Sequence, residues 1–132
     1  MQPAEGSSQR RQVVLLVDDE ADIRDSLKML LEASVDNIDV DTAESGMVAL
    51  DMLARKSVDL IITDYKMPGM NGLQLARELR IKHPGLPVIL YTGFNEGLSP
   101  GDIEEAGVRA LVTKPIDPHQ LFGLLQTHLA NA

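Results

Sequence analysis

From Gln12 onward the chain alternates short apolar runs with stretches of helical periodicity five times, and that alternation leaves few folds open. The runs are QVVLLV from Gln12, IDVDT from Ile38, and the segments 58–63, 87–91 and 109–113. Short apolar runs flanked by helical patterns predict buried parallel strands, because a strand covered on both faces has no reason to alternate polar and apolar residues. Five such βα units without long insertions predict a doubly wound parallel sheet of the α/β class, with helices on both faces.

Local signals place the helices. Ile23, Leu27, Leu30 and Leu31 recur at helical spacing after Asp19, and Glu20, Asp22 and Asp25 lie near the positive end of that helix. Ser45 can cap a second helix running through Leu50 and Leu53. Asn71 and Gln74 form a capping-box pair for a third helix that stops before His83-Pro84-Gly85. Ser99-Pro100 starts a short fourth helix ended by Gly107, expected to be the least stable of the set. Asp117-Pro118 opens a last helix carrying Leu121, Leu124, Leu125 and Leu129. The methionines on helices read as core filler. Residues 1–11 are expected to form a flexible tail and residues 12–130 the folded domain, with no length left for an attached output domain.

Four of the strands end on polar groups: Asp18-Asp19, Asp64, Thr92, and Lys114-Pro115. Open α/β sheets bind ligands at the carboxyl ends of their strands, so one edge would gather three carboxylates, a hydroxyl and an ammonium. Two carboxylates about 4 Å apart repel by roughly 4 kcal/mol at surface-like dielectric, a cost that a hard divalent cation removes. Clustered carboxylates without cysteine or a nearby histidine favour Mg²⁺ or Mn²⁺ over zinc. A carboxylate that accepts a phosphoryl group needs cationic and hydrogen-bonding partners for the other oxygens, which metal, Lys114 and Thr92 would supply. The competing reading is that Asp18 and Asp19 cap the next helix and that Thr92 bonds within a turn with Gly93. Lys114-Pro115 is a candidate cis peptide.

Composition removes other classes. A net charge of -8 opposes non-specific binding to nucleic acid or anionic lipid. No apolar run approaches the roughly 20 residues that span a bilayer. Arg10-Arg11 precedes a stretch too short for a signal peptide. The lack of cysteine excludes disulfides and thiol catalysis and agrees with a cytoplasmic location.

VDDE, TDYKMPGMNG, YTG and TKP occur in order and at suitable spacing, and through them residues 12 to 129 resemble the response-regulator receiver domains of two-component signalling. The resemblance implies a flavodoxin-like (βα)5 fold with strand order 2-1-3-4-5. It implies that Asp64 is the phosphoacceptor for phosphohistidine on a histidine kinase or histidine phosphotransfer protein. Asp19, Asp64 and the backbone carbonyl of Lys66 would ligate Mg²⁺, with Asp18 acting largely through metal-bound water. Thr92 and Lys114 match the switch hydroxyl and the phosphate-binding lysine, and Lys114-Pro115 matches a usual cis bond. The fourth helix, fifth strand and fifth helix would be the readout surface, with homodimerisation through the fourth and fifth helices as one option.

The match departs at Leu111, where the family often has Tyr or Phe as a rotating ring; Phe94 is a candidate substitute. Lys66, two residues after Asp64, is expected near the site mouth. His83, His119 and His128 lack neighbours resembling a transfer motif and read as surface or capping residues. Two other functions compete. An aspartyl phosphatase of the haloacid-dehalogenase type would need a DxD motif and a cap-sized insertion, whereas this chain has adjacent Asp18-Asp19. A phosphorylation-independent interaction module would not need all five site residues. The sequence is expected to be a signalling domain and not an enzyme, either free-standing or part of a hybrid kinase or longer regulator.

Overall fold

A computed structural model describes residues 11–93 and 97–129. Its elements run β1 Gln12–Val17, α1 Ala21–Ser34, β2 Ile38–Ala43, α2 Gly46–Leu53, β3 Leu60–Asp64, α3 Gly72–Lys82, β4 Val88–Thr92, α4 Pro100–Glu105, β5 Ala110–Thr113 and α5 Pro118–His128. The five strands form one parallel sheet in the order β2-β1-β3-β4-β5, the doubly wound arrangement expected from the sequence. Arg11, assigned to the flexible tail on sequence, is anchored: its Nε meets Asp39 Oδ1 at 2.9 Å and its guanidinium donates to the Ile38 carbonyl at 2.7 Å.

Strand alternation divides the core into two layers. Val14, Leu16, Ile62, Ile89, Tyr91 and Val112 face α1 and α5, meeting Leu27, Leu31, Leu121 and Leu125. Leu15, Val17, Ile61, Val88 and Leu90 face the other way, against Ala49 and Leu53 of α2 and Leu75 and Leu79 of α3. The central strands β3 and β4 are buried along their whole length, so their apolar runs show no alternation.

The caps form where the sequence puts them. Ser45 accepts from the Val48 amide, Asn71 and Gln74 complete a reciprocal capping box, and Ser99 and Asp117 cap α4 and α5. Strand starts differ by one or two residues from expectation, for identifiable reasons. Asp59 precedes β3 because its carboxylate and amide bracket Val13, accepting from its N–H and donating to its carbonyl, both at 2.8 Å. Pro87 lies before β4 and has no N–H for the ladder, contributing only its carbonyl to Ile61. The helical methionines are not uniformly core: Met29 and Met47 are exposed, and it is Met67 of the β3–α3 loop that is buried.

α4 is the slightest element, with six residues and no buried side chain of its own. Ala106 just beyond it enters the core, and Gly107 ends it with φ +83°. Two arginines of α3 hold it: Arg77 Nε pairs with Glu105 Oε1 at 2.8 Å, and Arg80 donates to the Glu105 carbonyl.

Gly72 at the start of α3 fixes that helix against β3. Its amide donates to the Tyr65 carbonyl at 2.7 Å, and a Cβ there would lie 2.2 Å from the Asp64 carbonyl oxygen and 2.7 Å from Leu90 Cδ1. Gly72→Ala should therefore cost about 1–3 kcal/mol or more through overpacking, measured by urea unfolding. An unchanged midpoint would show that α3 can retreat from the strand.

Candidate functional site

The last registered pair of β1 and β3 is Val17 with Thr63, so the next residues, Asp18 and Asp64, emerge together at the carboxyl edge. Asp18 is completely buried and Asp64 is 4% exposed, whereas Asp19 points toward solvent. Ligand oxygens of Asp18, Asp19 and Asp64 all lie within 4.8 Å of one another. No other cluster of three potential metal-ligating side chains occurs among the described residues.

Lys114 reaches this cluster from the end of β5. Its Nζ lies 3.2 Å from Asp64 Oδ1 and 3.3 Å from Oδ2, and it donates a hydrogen bond to the latter. Asp64 Oδ1 is buried and receives no hydrogen bond of its own. A buried, orphaned carboxylate oxygen beside two more carboxylates is a set of hard oxygen donors of the kind a divalent cation takes. The Lys114-Pro115 peptide is cis.

Asp18 does not cap α1, whose N-cap is Glu20 without a side-chain cap bond. Its Oδ1 accepts from the Glu20 amide at 2.8 Å at the entrance to α1, and its carboxylate still belongs to the acidic cluster. Thr92 is buried at the end of β4, and its hydroxyl makes only a long bond, 3.4 Å, to the Gly93 carbonyl. Lys66 is exposed on the loop after β3, and Leu111 is 39% exposed on β5. Phe94 lies outside the described residues. His83 caps α3 and His119 and His128 sit on α5, away from the cluster in the chain.

One participant escaped the sequence reading. Tyr91 is buried in β4, and its hydroxyl donates to Asp18 Oδ2 across the intervening strand. Lys114 Nζ lies over the same ring, 5.4 Å from its centroid. The available signal was a lone aromatic in an otherwise aliphatic strand, directly before Thr92.

Residues 14–126 match the family model of the response regulator receiver domain. The chain belongs to this family. The transcriptional regulatory protein GlrR of Escherichia coli K12 is 38% identical over 110 residues, covering 83% of this chain and 24% of GlrR. The DNA-binding transcriptional regulator NtrC of the same organism is 30% identical over 122 residues, covering 92% of this chain and 26% of NtrC. This receiver thus spans about a quarter of the length of those relatives. Among solved structures, a response regulator receiver protein from Pseudomonas putida superposes with TM-score 0.81 at 30% identity, covering 89% of this chain and 97% of that one. The signal receiver domain of an HD domain-containing protein from Pseudomonas fluorescens Pf-5 gives 0.83 at 29%, covering 90% and 94%. Receiver domains are signalling domains that bind Mg²⁺ through an acidic cluster, and Asp18, Asp19 and Asp64 form such a cluster here. Among the described residues of this receiver no helix is long and apolar enough to cross a membrane.

Burial pushes the Asp64 carboxyl above its ordinary pKa; Lys114 pulls it partly back, and the Asp18 charge adds to the rise. The native state then holds this proton more tightly than the unfolded chain does. Its contribution to stability is present below the ordinary carboxylate pKa and is lost as pH rises through the raised one. In thermal melts without divalent cations, Asp64→Asn should gain on the parent as pH climbs through that window. Parallel curves would show that Asp64 carries no such penalty.

Proposed function

We propose that this receiver accepts a phosphoryl group from phosphohistidine on a histidine kinase or histidine phosphotransfer protein, with Asp64 as nucleophile. The observation that carries the reading is a nearly buried Asp64 carboxylate set between two other carboxylates and the Lys114 ammonium at 3.2 Å. A carboxylate oxygen attacks phosphorus, the phosphorus–nitrogen bond breaks, its electron pair stays on the imidazole, and an aspartyl phosphate remains. No general base is required, because the ionised carboxylate has no proton to lose.

Asp19, Asp64 and the backbone carbonyl of Lys66 would hold Mg²⁺ directly, with Asp18 acting through bound water; Mn²⁺ suits the same oxygen donors. The cation supplies charge neutralisation for the transferring oxygens. Lys114, already on Asp64, shifts its hydrogen bonds toward the phosphoryl oxygens. Thr92, held now only by its long bond to Gly93, is the hydroxyl that turns toward them. α4 moves with this turn, and the surface of α4, β5 and α5 carries the output, including any pairing of two receivers. Leu111 on that surface cannot act as a rotating ring, so readout rests on Thr92 and the backbone that follows it. The net charge of -8 supports a receiver that does not itself bind nucleic acid, and the absence of a spanning helix among the described residues supports a cytoplasmic one. The domain promotes its own phosphorylation and dephosphorylation and transforms no other substrate.

Incubation with a small phosphodonor and Mg²⁺ should give one hydroxylamine-sensitive phosphoryl group, absent from Asp64→Asn and slowed roughly a hundredfold in Lys114→Met. Labelling that survives Asp64→Asn, or a hydroxylamine-resistant product, would overturn the assignment. Lys66→Asn should change the lifetime of the aspartyl phosphate, since the lysine is exposed two residues after Asp64 and its side chain is available to influence hydrolytic water. Equal dephosphorylation rates for variant and parent would exclude that role.

A further inference from the structure

The carboxylate of Asp18 is wholly buried, yet both of its oxygens are occupied. Oδ1 takes the Glu20 amide at 2.8 Å, and Oδ2 takes the Tyr91 hydroxyl. The two donors differ in kind. The Glu20 bond closes a local turn at the start of α1, which any residue at position 20 other than proline could form. The Tyr91 bond reaches from β4 across β3, and only a side chain with a terminal donor at that length can make it. Tyr91 also sets its ring beneath Lys114 Nζ at 5.4 Å, so it contacts an anion and the cation of the site at once.

We infer that Tyr91 is a positioning residue that stands in for the metal: its hydroxyl neutralises part of the Asp18 charge while the cation is away, and so sets how tightly the acidic cluster takes Mg²⁺. The inference rests on the reading of Asp18, Asp19 and Asp64 as the Mg²⁺ site. A hydrogen bond to a charged carboxylate is stronger than one to a neutral acceptor. When a divalent cation shares the charge of Asp18, the carboxylate becomes a poorer acceptor and the same bond is worth less. By linkage, a bond that is stronger in the metal-free state must weaken metal binding by the same factor. Orientation acts in the opposite sense, because outer-shell hydrogen bonds commonly aid metal binding by aiming the ligand. Here the Glu20 amide and complete burial already aim Asp18, which leaves the charge effect to Tyr91. The hydroxyl keeps its proton for this task, since burial and the neighbouring carboxylates push the Tyr91 phenol upward from its ordinary value.

The test uses Tyr91→Phe, which retains the ring over Lys114 and removes only the donor. Mg²⁺ binding is measured by calorimetry, and thermal melts are recorded with and without Mg²⁺ on the full chain. The variant should melt lower than the parent without Mg²⁺, lose most of that deficit at saturating Mg²⁺, and bind Mg²⁺ roughly three- to tenfold more tightly. A purely structural role would lower both melting points equally and leave the affinity unchanged, and that result, or weaker binding, would overturn the inference. Asp18→Asn provides a second arm: with the charge gone, adding Tyr91→Phe should no longer tighten Mg²⁺ binding, and a tightening that persists there would also overturn it. A parent that binds no Mg²⁺ would instead remove the metal reading on which the inference rests.

Discussion

Asp18 and Asp64 leave the ends of adjacent strands with almost no access to water, and each carries a charge that water would otherwise stabilise. Two such charges in one low-dielectric pocket are tolerable only with compensation, and the surrounding structure is arranged to provide it. Lys114 arrives from β5 with an ammonium, α1 presents the Glu20 amide, and β4 contributes the Tyr91 hydroxyl. The Glu20 amide is local to Asp18, whereas Lys114 and Tyr91 are distant in sequence and reach the carboxylates only because the parallel strands end at one edge. Compensation is also incomplete, since Asp64 Oδ1 receives no hydrogen bond. That shortfall suits the proposed chemistry: a carboxylate fully satisfied by donors would have little reason to take a cation or to attack phosphorus.

The two faces of the sheet divide the labour. On the face of α1 and α5, β1, β3, β4 and β5 lay down a continuous apolar layer that includes the ring of Tyr91. On the opposite face α2 and α3 pack closely, with α3 drawn in so far that only glycine fits at its first position. The close approach at Gly72 is at the Asp64 carbonyl, so helix packing bears on the same residue that is proposed as the nucleophile. The site is thereby held between a deep apolar layer below and a helix terminus beside it, which limits how far its carboxylates can move apart.

Much of this was legible in the sequence because it depends on local rules. Apolar runs specify buried strands, Ser45, Asn71, Ser99 and Asp117 cap the helices that follow them, and polar residues at strand ends collect at one edge. What escaped depends on distances between segments. Tyr91 read as one more apolar strand residue, since only the three-dimensional sheet brings its hydroxyl to Asp18. Asp59 read as a residue of the third strand, although it lies before β3 and spends its carboxylate on the Val13 amide. Met29 and Met47 follow helical spacing yet face solvent, because periodicity states which residues share a face and not whether another element covers that face. The dual role of Asp18, as turn acceptor and cluster member, also needed coordinates, because sequence sets a capping role against the cluster and Asp18 makes no cap.

α4 touches the rest of the molecule in an unusual way for a helix in a sheet-based fold. None of its six residues is fully buried: Ile103 packs against the core from a partly buried position, and two arginines on α3 hold Glu105. Moving such a helix uncovers the apolar contacts of Ile103 and the adjoining Ala106 and breaks one exposed ion pair, Arg77 with Glu105, which solvent replaces at small cost. Raised ionic strength weakens the exposed Arg77–Glu105 pair and leaves the apolar contacts of Ile103 in place. In the proposed switch the cost of moving α4 falls on these few contacts and not on the buried strands.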